Sequence, residues 1–503
     1  MAGVLVALLA ACNPAPSTAP STVPSTPASP SIPASSGAIA SPGAAASLAD
    51  AVRSGISVND ILDDLGRLQA IADANGGTRA AGTPGHDASI AFVVGELKAA
   101  GFTVEQQPVT ITAFAQTGPS VLAIAGGQAF DDIHDFKAMT YSPSGDVTAK
   151  VVSLGWDPNA KAGAFTGLGC DAADWTGFPA GSIALVQPGP CRRHDAIVLA
   201  QKAGAVAIVT TYAGWPRDGV LRPTLVTPED IHIPAIGATN AVGIGLAAAA
   251  AAGTPVHVST STAVSQVETF NVIADSPWAD PAHVVMLGGH LDSVIDGPGI
   301  NDNGSGTMAI LEIARTMAPL VASQPAPARP TTRLRVAFWT GEELGLFGSA
   351  AYANALSTDD VAAIEAYLNF DMIGSPNGVR VVYQEQNPPH PAAETLIGTL
   401  FEQALDGEHL AWETEAIGPA SDHYPLEQAG IPIGGLYSGA NELMSADEAS
   451  KFTGVENTPE DACYHLACDT ASNVDAGLLG ELARAAAWVT GELVSGEVVL
   501  STH

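Results

Sequence analysis

The stretch HVVMLGGHLDSVIDGPGINDNGSG, His283–Gly306, passes from an apolar run straight into a loop carrying His290, Asp292, Asp296 and Asp302. A continuous apolar run rich in branched residues predicts a strand buried on both faces. Its polar continuation puts an imidazole and three carboxylates at the strand's carboxyl end. In largely parallel sheets that is where ligands bind. Either these acids are solvated or they face a cation, and the neighbouring segments decide.

Downstream, RLRVAFWT (333–340), AIEAYLNFD (363–371) and GGLYSG (434–439) predict further strands. Helical spacing alternates with them over Thr307–Leu320, Ser349–Leu356 and Ala392–Ala404. Upstream, VNDILDDLGRLQAIA (58–72) places Ile61, Leu62, Leu65, Leu68 and Ile71 on one helical face. HDASIAFVVGELKAAGF (86–102) repeats the pattern and stops at Gly101, and TVEQQPVTIT (103–112) alternates as a strand does. The expected fold class is α/β: a mixed, mostly parallel central sheet covered by helices on both faces.

The polar residues that follow these strands form a set. Glu342 and Glu343 come after RLRVAFWT, Asp371 ends AIEAYLNFD, and His465 sits in CYHLACDT. Singly each has an ordinary explanation: an Asp before a helix caps it, and paired glutamates make a solvated turn. Together, two imidazoles with three carboxylates form a borderline-hard donor set suited to Zn²⁺. Two divalent ions roughly 3.5–4 Å apart need a shared anionic ligand. Asp302, in a glycine-rich loop with a permissive backbone, is the candidate bridge.

The motifs GHLDS, GINDNGSG, WTGEELGLFGS, NFDMIG, SDHYPL and CYHLACDT, in this order, resemble the M28 family of co-catalytic zinc aminopeptidases. The resemblance covers about 57–114 and 265–496. It implies that His290 and Asp371 hold one Zn²⁺, that Glu343 and His465 hold the other, and that Asp302 bridges the two. It further implies that Asp292 stands behind His290 and accepts its second ring N–H, that Glu342 is the general base, and that Tyr464 stabilises the oxyanion. A cis peptide after the bridging aspartate is expected at Asp302–Asn303. Asp422 and His423 would shape the site, and Asp469 would support its loop. The implied reaction is hydrolysis of an N-terminal peptide bond, with peptides or proteins bearing a free N-terminus as substrates.

Between these segments, 136–262 shows short β-like runs, VTAKVVSLG, SIALVQPG, AVAIVTTY and HIPAIGAT, with one helix in DAIVLAQKAG and a short one around Ala250. IALVQPGPCRRHDAIVLAQKAGAVAIVTTYAG resembles the protease-associated (PA) domain, an insert found in secreted peptidases. The expected organisation is therefore 48–135 and 263–503 for the peptidase domain and 136–262 for a small β-rich PA insert.

At the N-terminus, GVLVALLAAC has the length of a signal-peptide apolar core and is too short to span a bilayer. Leu9-Ala10-Ala11-Cys12 resembles the lipobox of bacterial lipoproteins, so 1–12 is expected to be a signal peptide, with Cys12 left at the mature terminus carrying lipid. No Lys or Arg precedes Arg53, which leaves room for a start upstream of Met1. Residues 13–47, composed mainly of Pro, Ser, Thr and Ala without charge, are expected to be a disordered tether. Of five cysteines, four remain after Cys12, and they can pair locally as Cys170–Cys191 and Cys463–Cys468, which suits an oxidising compartment. A disulfide at Cys463–Cys468 would steady His465.

Lys and Arg number 19 against 52 Asp and Glu, a net charge of −33, with no basic stripe to meet phosphates, so a nucleic-acid partner is excluded. Membrane contact is expected only through the lipid anchor, and the oligomeric state is open. The rivals are a carboxypeptidase, a dipeptidase or a single-zinc glutaminyl cyclase on the same scaffold. From another class, the rival is an inactive surface-tethered binding lipoprotein. A carboxypeptidase would need a cationic pocket, whereas Arg and Lys are scarce in the catalytic segments.

Overall fold

A computed structural model describes residues 47–160, 167–212, 220–325, 328–385 and 388–500. The expected signal peptide, Cys12 and all of the expected tether except Ser47 lie outside the described residues. Among the described residues no helix is long and apolar enough to cross a membrane.

Helix Val58–Ala74 starts at Ser57, whose side chain accepts the Asp60 amide at 3.3 Å, and buries Ile61, Leu65, Leu68 and Ala72. Helix Pro84–Ala99 follows Thr83 as its cap and carries proline at its first turn, where no amide partner is lost. Strand Thr103–Gln116 then pairs antiparallel, residue for residue, with Thr262–Asp275. The ends Gln116 and Thr262 face each other, so the chain leaves the main sheet and returns to it at one place.

The main sheet has eight strands, in the order Thr103–Gln116, Thr262–Asp275, Thr332–Trp339, Asp280–His290, Ile364–Phe370, Ile433–Tyr437, Val381–Tyr383 and Glu413–Glu415. The four central strands, 332–339, 280–290, 364–370 and 433–437, are mutually parallel, and antiparallel partners flank them. Alternate residues point to opposite faces. Val285 and Leu287 join the larger core, with Leu65, Met308, Leu400 and Leu482 from four helices. Val284 and Met286 join a second core with Tyr352 and Leu426. Helices thus cover both faces, and the fold class is mixed α/β as the alternation predicted.

Helices Gly306–Ser323, Phe347–Ala355 and Pro391–Gly407 occupy the three expected positions. The segment between Gln116 and Thr262 builds a second, seven-stranded sheet with helices Arg193–Lys202 and Asn240–Ala252. Its edge strand Val121–Ile124 pairs with Pro255–Thr260 and lies ahead of Phe136, where the insert was expected to begin. A four-residue strand with no repeat of its own leaves no periodic signal. Cys170 joins Cys191 and Cys463 joins Cys468.

Candidate metal centre

His290 is the last residue of its strand, Glu342 and Glu343 follow Trp339 by three and four positions, and Asp371 follows Phe370. His290 is in register with Trp339, and Gly288 with Asn369, so three adjacent parallel strands deliver these groups to one edge of the sheet. The loop 291–305 brings Asp302 beside them, and the Cys463–Cys468 loop brings His465.

The distances form two overlapping groups. His290 Nε2 lies 3.2 Å from Asp302 Oδ1 and 3.3 Å from Asp371 Oδ1. His465 Nε2 lies 3.0 Å from Asp302 Oδ2 and 3.1 Å from Glu343 Oε2. Asp302 alone belongs to both, one oxygen in each. Among the described residues these are the two groups of donor atoms close enough to share a metal ion. The Asp302–Asn303 peptide is cis.

The expected support for His290 is corrected. Its Nδ1 donates to the backbone carbonyl of Asp292 at 3.1 Å, while the Asp292 carboxylate stands 4.0 Å away. That carboxylate accepts the Glu342 amide at 3.3 Å instead. A residue two positions on can offer its own carbonyl more readily than fold its side chain back. With Nδ1 committed to that carbonyl, Nε2 is the ring nitrogen turned toward Asp302 and Asp371.

Burial opposes charge on His290, but the Asp371 and Asp302 carboxylates raise its pKa well above the ordinary imidazole value, so a positive charge, a proton or a metal cation, belongs between these atoms. The rest of the site has the same need. Asp292 Oδ2 and Glu343 Oε1 are buried without a hydrogen-bond partner. Burial, reinforced by Glu343 and other carboxylates, drives the Glu342 carboxyl well above its ordinary range. Burial likewise raises Asp292 and Asp422 to about 7. For Asp302 burial acts in the same sense, but the imidazoles of His290 and His465 hold it below the usual carboxylate range. Two imidazoles with Asp302, Asp371 and Glu343 fit divalent cations, Zn²⁺ first.

The surrounding residues lock the loops. Asp469 accepts the Asn301 amide at 2.8 Å and the Asp302 amide at 3.1 Å. The Asn303 side chain donates to Phe370 O at 2.8 Å and accepts the Met372 amide at 3.1 Å, tying Asp302 to Asp371. Ser421 donates to the second oxygen of Asp371 at 2.6 Å. Gly299 has φ +65°, and a Cβ there would stand 2.4 Å from Asp302 O, so only glycine fits. His465 itself has φ +56°, uncommon for a residue other than glycine. The Tyr464 ring stacks on its imidazole at 3.8 Å. Asp422 and His423 are buried, and His423 Nε2 lies 2.7 Å from Gly418 O.

Arg79 is the residue the motifs missed. Fully buried, it donates to the carbonyls of Leu291, Pro298 and Gly299, so one guanidinium pins the whole loop between His290 and Asp302. Burial lowers its pKa to about 10, and the carboxylates of Asp292, Asp469 and Asp302 keep it charged.

Residues 271–490 match the family described as Peptidase family M28, and residues 147–246 match the PA domain. The chain is 36% identical over 449 residues to an aminopeptidase of Pseudomonas aeruginosa, covering 87% of this chain and 81% of that one. It is 33% identical over 462 residues to the probable lipoprotein aminopeptidase LpqL of Mycobacterium tuberculosis, covering 88% and 86%. Among solved structures it is similar to the aminopeptidase from Aneurinibacillus sp. strain AM-1, with a TM-score of 0.67 and 25% identity over 88% of this chain and 95% of that one.

Proposed function

The chain belongs to peptidase family M28 and carries a PA domain, and from that premise we propose that it is a zinc-dependent aminopeptidase working with two Zn²⁺ ions bridged by Asp302. The observation that carries the reading is the split of the Asp302 carboxylate between the His290 and His465 imidazoles. His290 and Asp371 would hold one ion and Glu343 and His465 the other. Bound there, the two ions would supply Lewis acidity to the scissile carbonyl and acidify the attacking water.

The protein's own groups do the rest. Glu342 takes the water's proton and passes it to the leaving amine; a carboxyl raised by burial suits both halves of that task. Tyr464, packed on His465, steadies the oxyanion. The surplus of carboxylates favours a substrate's free α-ammonium over a terminal carboxylate. Arg79, the cation beneath the loop, is spent on three carbonyls and offers no carboxylate pocket.

The insert comprises the residues between Gln116 and Thr262, and the peptidase domain comprises the rest of the folded chain. Export with a lipid anchor at Cys12 is the localisation supported by Leu9-Ala10-Ala11-Cys12 and by the likeness to a probable lipoprotein. Peptides with a free N-terminus are the substrates.

A panel of aminoacyl p-nitroanilides and their N-acetyl counterparts, assayed after chelation and after zinc return, tests the reading. Hydrolysis of the free-amine compounds alone, lost on chelation and restored by zinc, is expected. Turnover of blocked substrates, or full activity after chelation, would refute it.

A further inference from the structure

An ion triad joins the insert to the loop that follows His290. Asp296, four residues beyond Asp292, accepts from Arg222 through both oxygens: Oδ2 from Nε at 2.7 Å and Oδ1 from Nη2 at 3.0 Å. Lys137 Nζ lies 3.1 Å from the same Oδ1. Lys137 and Arg222 belong to the insert, and the three side chains are only 7%, 8% and 14% exposed for Lys137, Arg222 and Asp296. Bidentate geometry makes the Arg222 pairing specific as well as strong.

A second contact reaches the other catalytic loop. The Tyr141 hydroxyl, from the insert, shares its one proton between Thr112 O at 2.7 Å and Leu344 O at 3.2 Å. Leu344 directly follows Glu342 and Glu343, and it shares one apolar core with Leu225 of the insert. Domains move against each other by default unless their interface is large and apolar. Here a continuous core and a buried ion triad occupy the junction, so the insert is fixed against the peptidase domain.

We infer that Asp296 is a positioning residue: through Arg222 and Lys137 it makes the insert a rigid brace for the loops bearing Asp302 and Glu342. The brace does not touch substrate. It sets where the base stands relative to the bridging carboxylate, so its loss lowers turnover rather than substrate binding. The inference rests on the metallopeptidase reading of the site.

The test uses the zinc-loaded full chain and the aminoacyl anilide that wild type hydrolyses fastest. Arg222→Met should lower kcat about tenfold or more. KM should stay within about twofold. Zinc loss to a chelator should quicken. Leu246→Ala, in the insert's separate core, should lower the melting temperature and leave kcat and zinc retention as in wild type. If Arg222→Met matches wild type in kcat and zinc retention, or if Leu246→Ala reproduces the same fall in kcat, the inference is overturned. Should Arg222→Met fail to fold, Asp296→Asn, which keeps the shape and removes the charge, decides: a lower kcat with unchanged KM upholds the brace, and an unchanged kcat overturns it. Wild type that binds no zinc or hydrolyses none of the panel would instead sink the metallopeptidase reading.

Discussion

The two oxygens of Asp302 face different imidazoles: Oδ1 lies 3.2 Å from His290 Nε2 and Oδ2 lies 3.0 Å from His465 Nε2. One carboxylate therefore joins two imidazoles that are 175 residues apart in the chain. Asp302→Asn keeps the shape and removes half of that function, because an amide presents a single acceptor oxygen. Metal analysis of the purified variant should give one zinc or fewer per chain, with kcat reduced by roughly 10³ or more. Two tightly held zinc ions in the variant would argue against the bridge.

Glu342→Gln separates proton transfer from metal binding. Glu342 lies in neither donor group, so both metals should stay bound. General-base loss of this kind lowers turnover by about 10²–10⁴. Steady-state kinetics beside zinc analysis checks both halves; near-normal turnover would move the base elsewhere.

Arg79 is a stability prediction. Replacing it with Met leaves the carbonyls of Leu291, Pro298 and Gly299 without their buried donor. Removing one member of a buried charged network costs about 3–5 kcal/mol. Urea unfolding of the zinc-free chain should show this loss. Wild-type stability there would mean that the loop holds itself.

Acid should weaken the contact between insert and peptidase domain. Burial opposes ionisation of Asp296, but Arg222 and Lys137 hold its carboxyl below the usual range. A lowered folded-state pKa stabilises the fold fully above the unfolded value, near 4 for an aspartate. That contribution is lost as pH falls through the folded value. Thermal melts of wild type and Asp296→Asn should therefore differ at pH 7 and converge on acidification. Coincident curves at every pH would show that the pairing adds nothing.

The frame of this fold and the donors of its centre were legible because both leave local signals. Branched apolar runs mark the central strands, and His290, Glu343 and Asp371 sit where those strands stop. What the chain does not display locally is which backbone a side chain meets. Arg79 reads as one arginine in a polar turn, and its meaning depends on three carbonyls more than 200 residues away. Asp296 reads like any loop acid until Arg222 closes on it from the insert. The role of Asp292 was misplaced for the same reason: side chain and carbonyl of one residue are indistinguishable in a sequence, and the fold used the carbonyl. The strand Val121–Ile124 was too short to show a period.

The most direct measurement is a zinc-edge anomalous difference map from crystals of the full chain grown with zinc. Two peaks flanking Asp302, one beside His290 and Asp371 and the other beside Glu343 and His465, are the predicted result. A single peak, or zinc bound away from Asp302, would contradict the account.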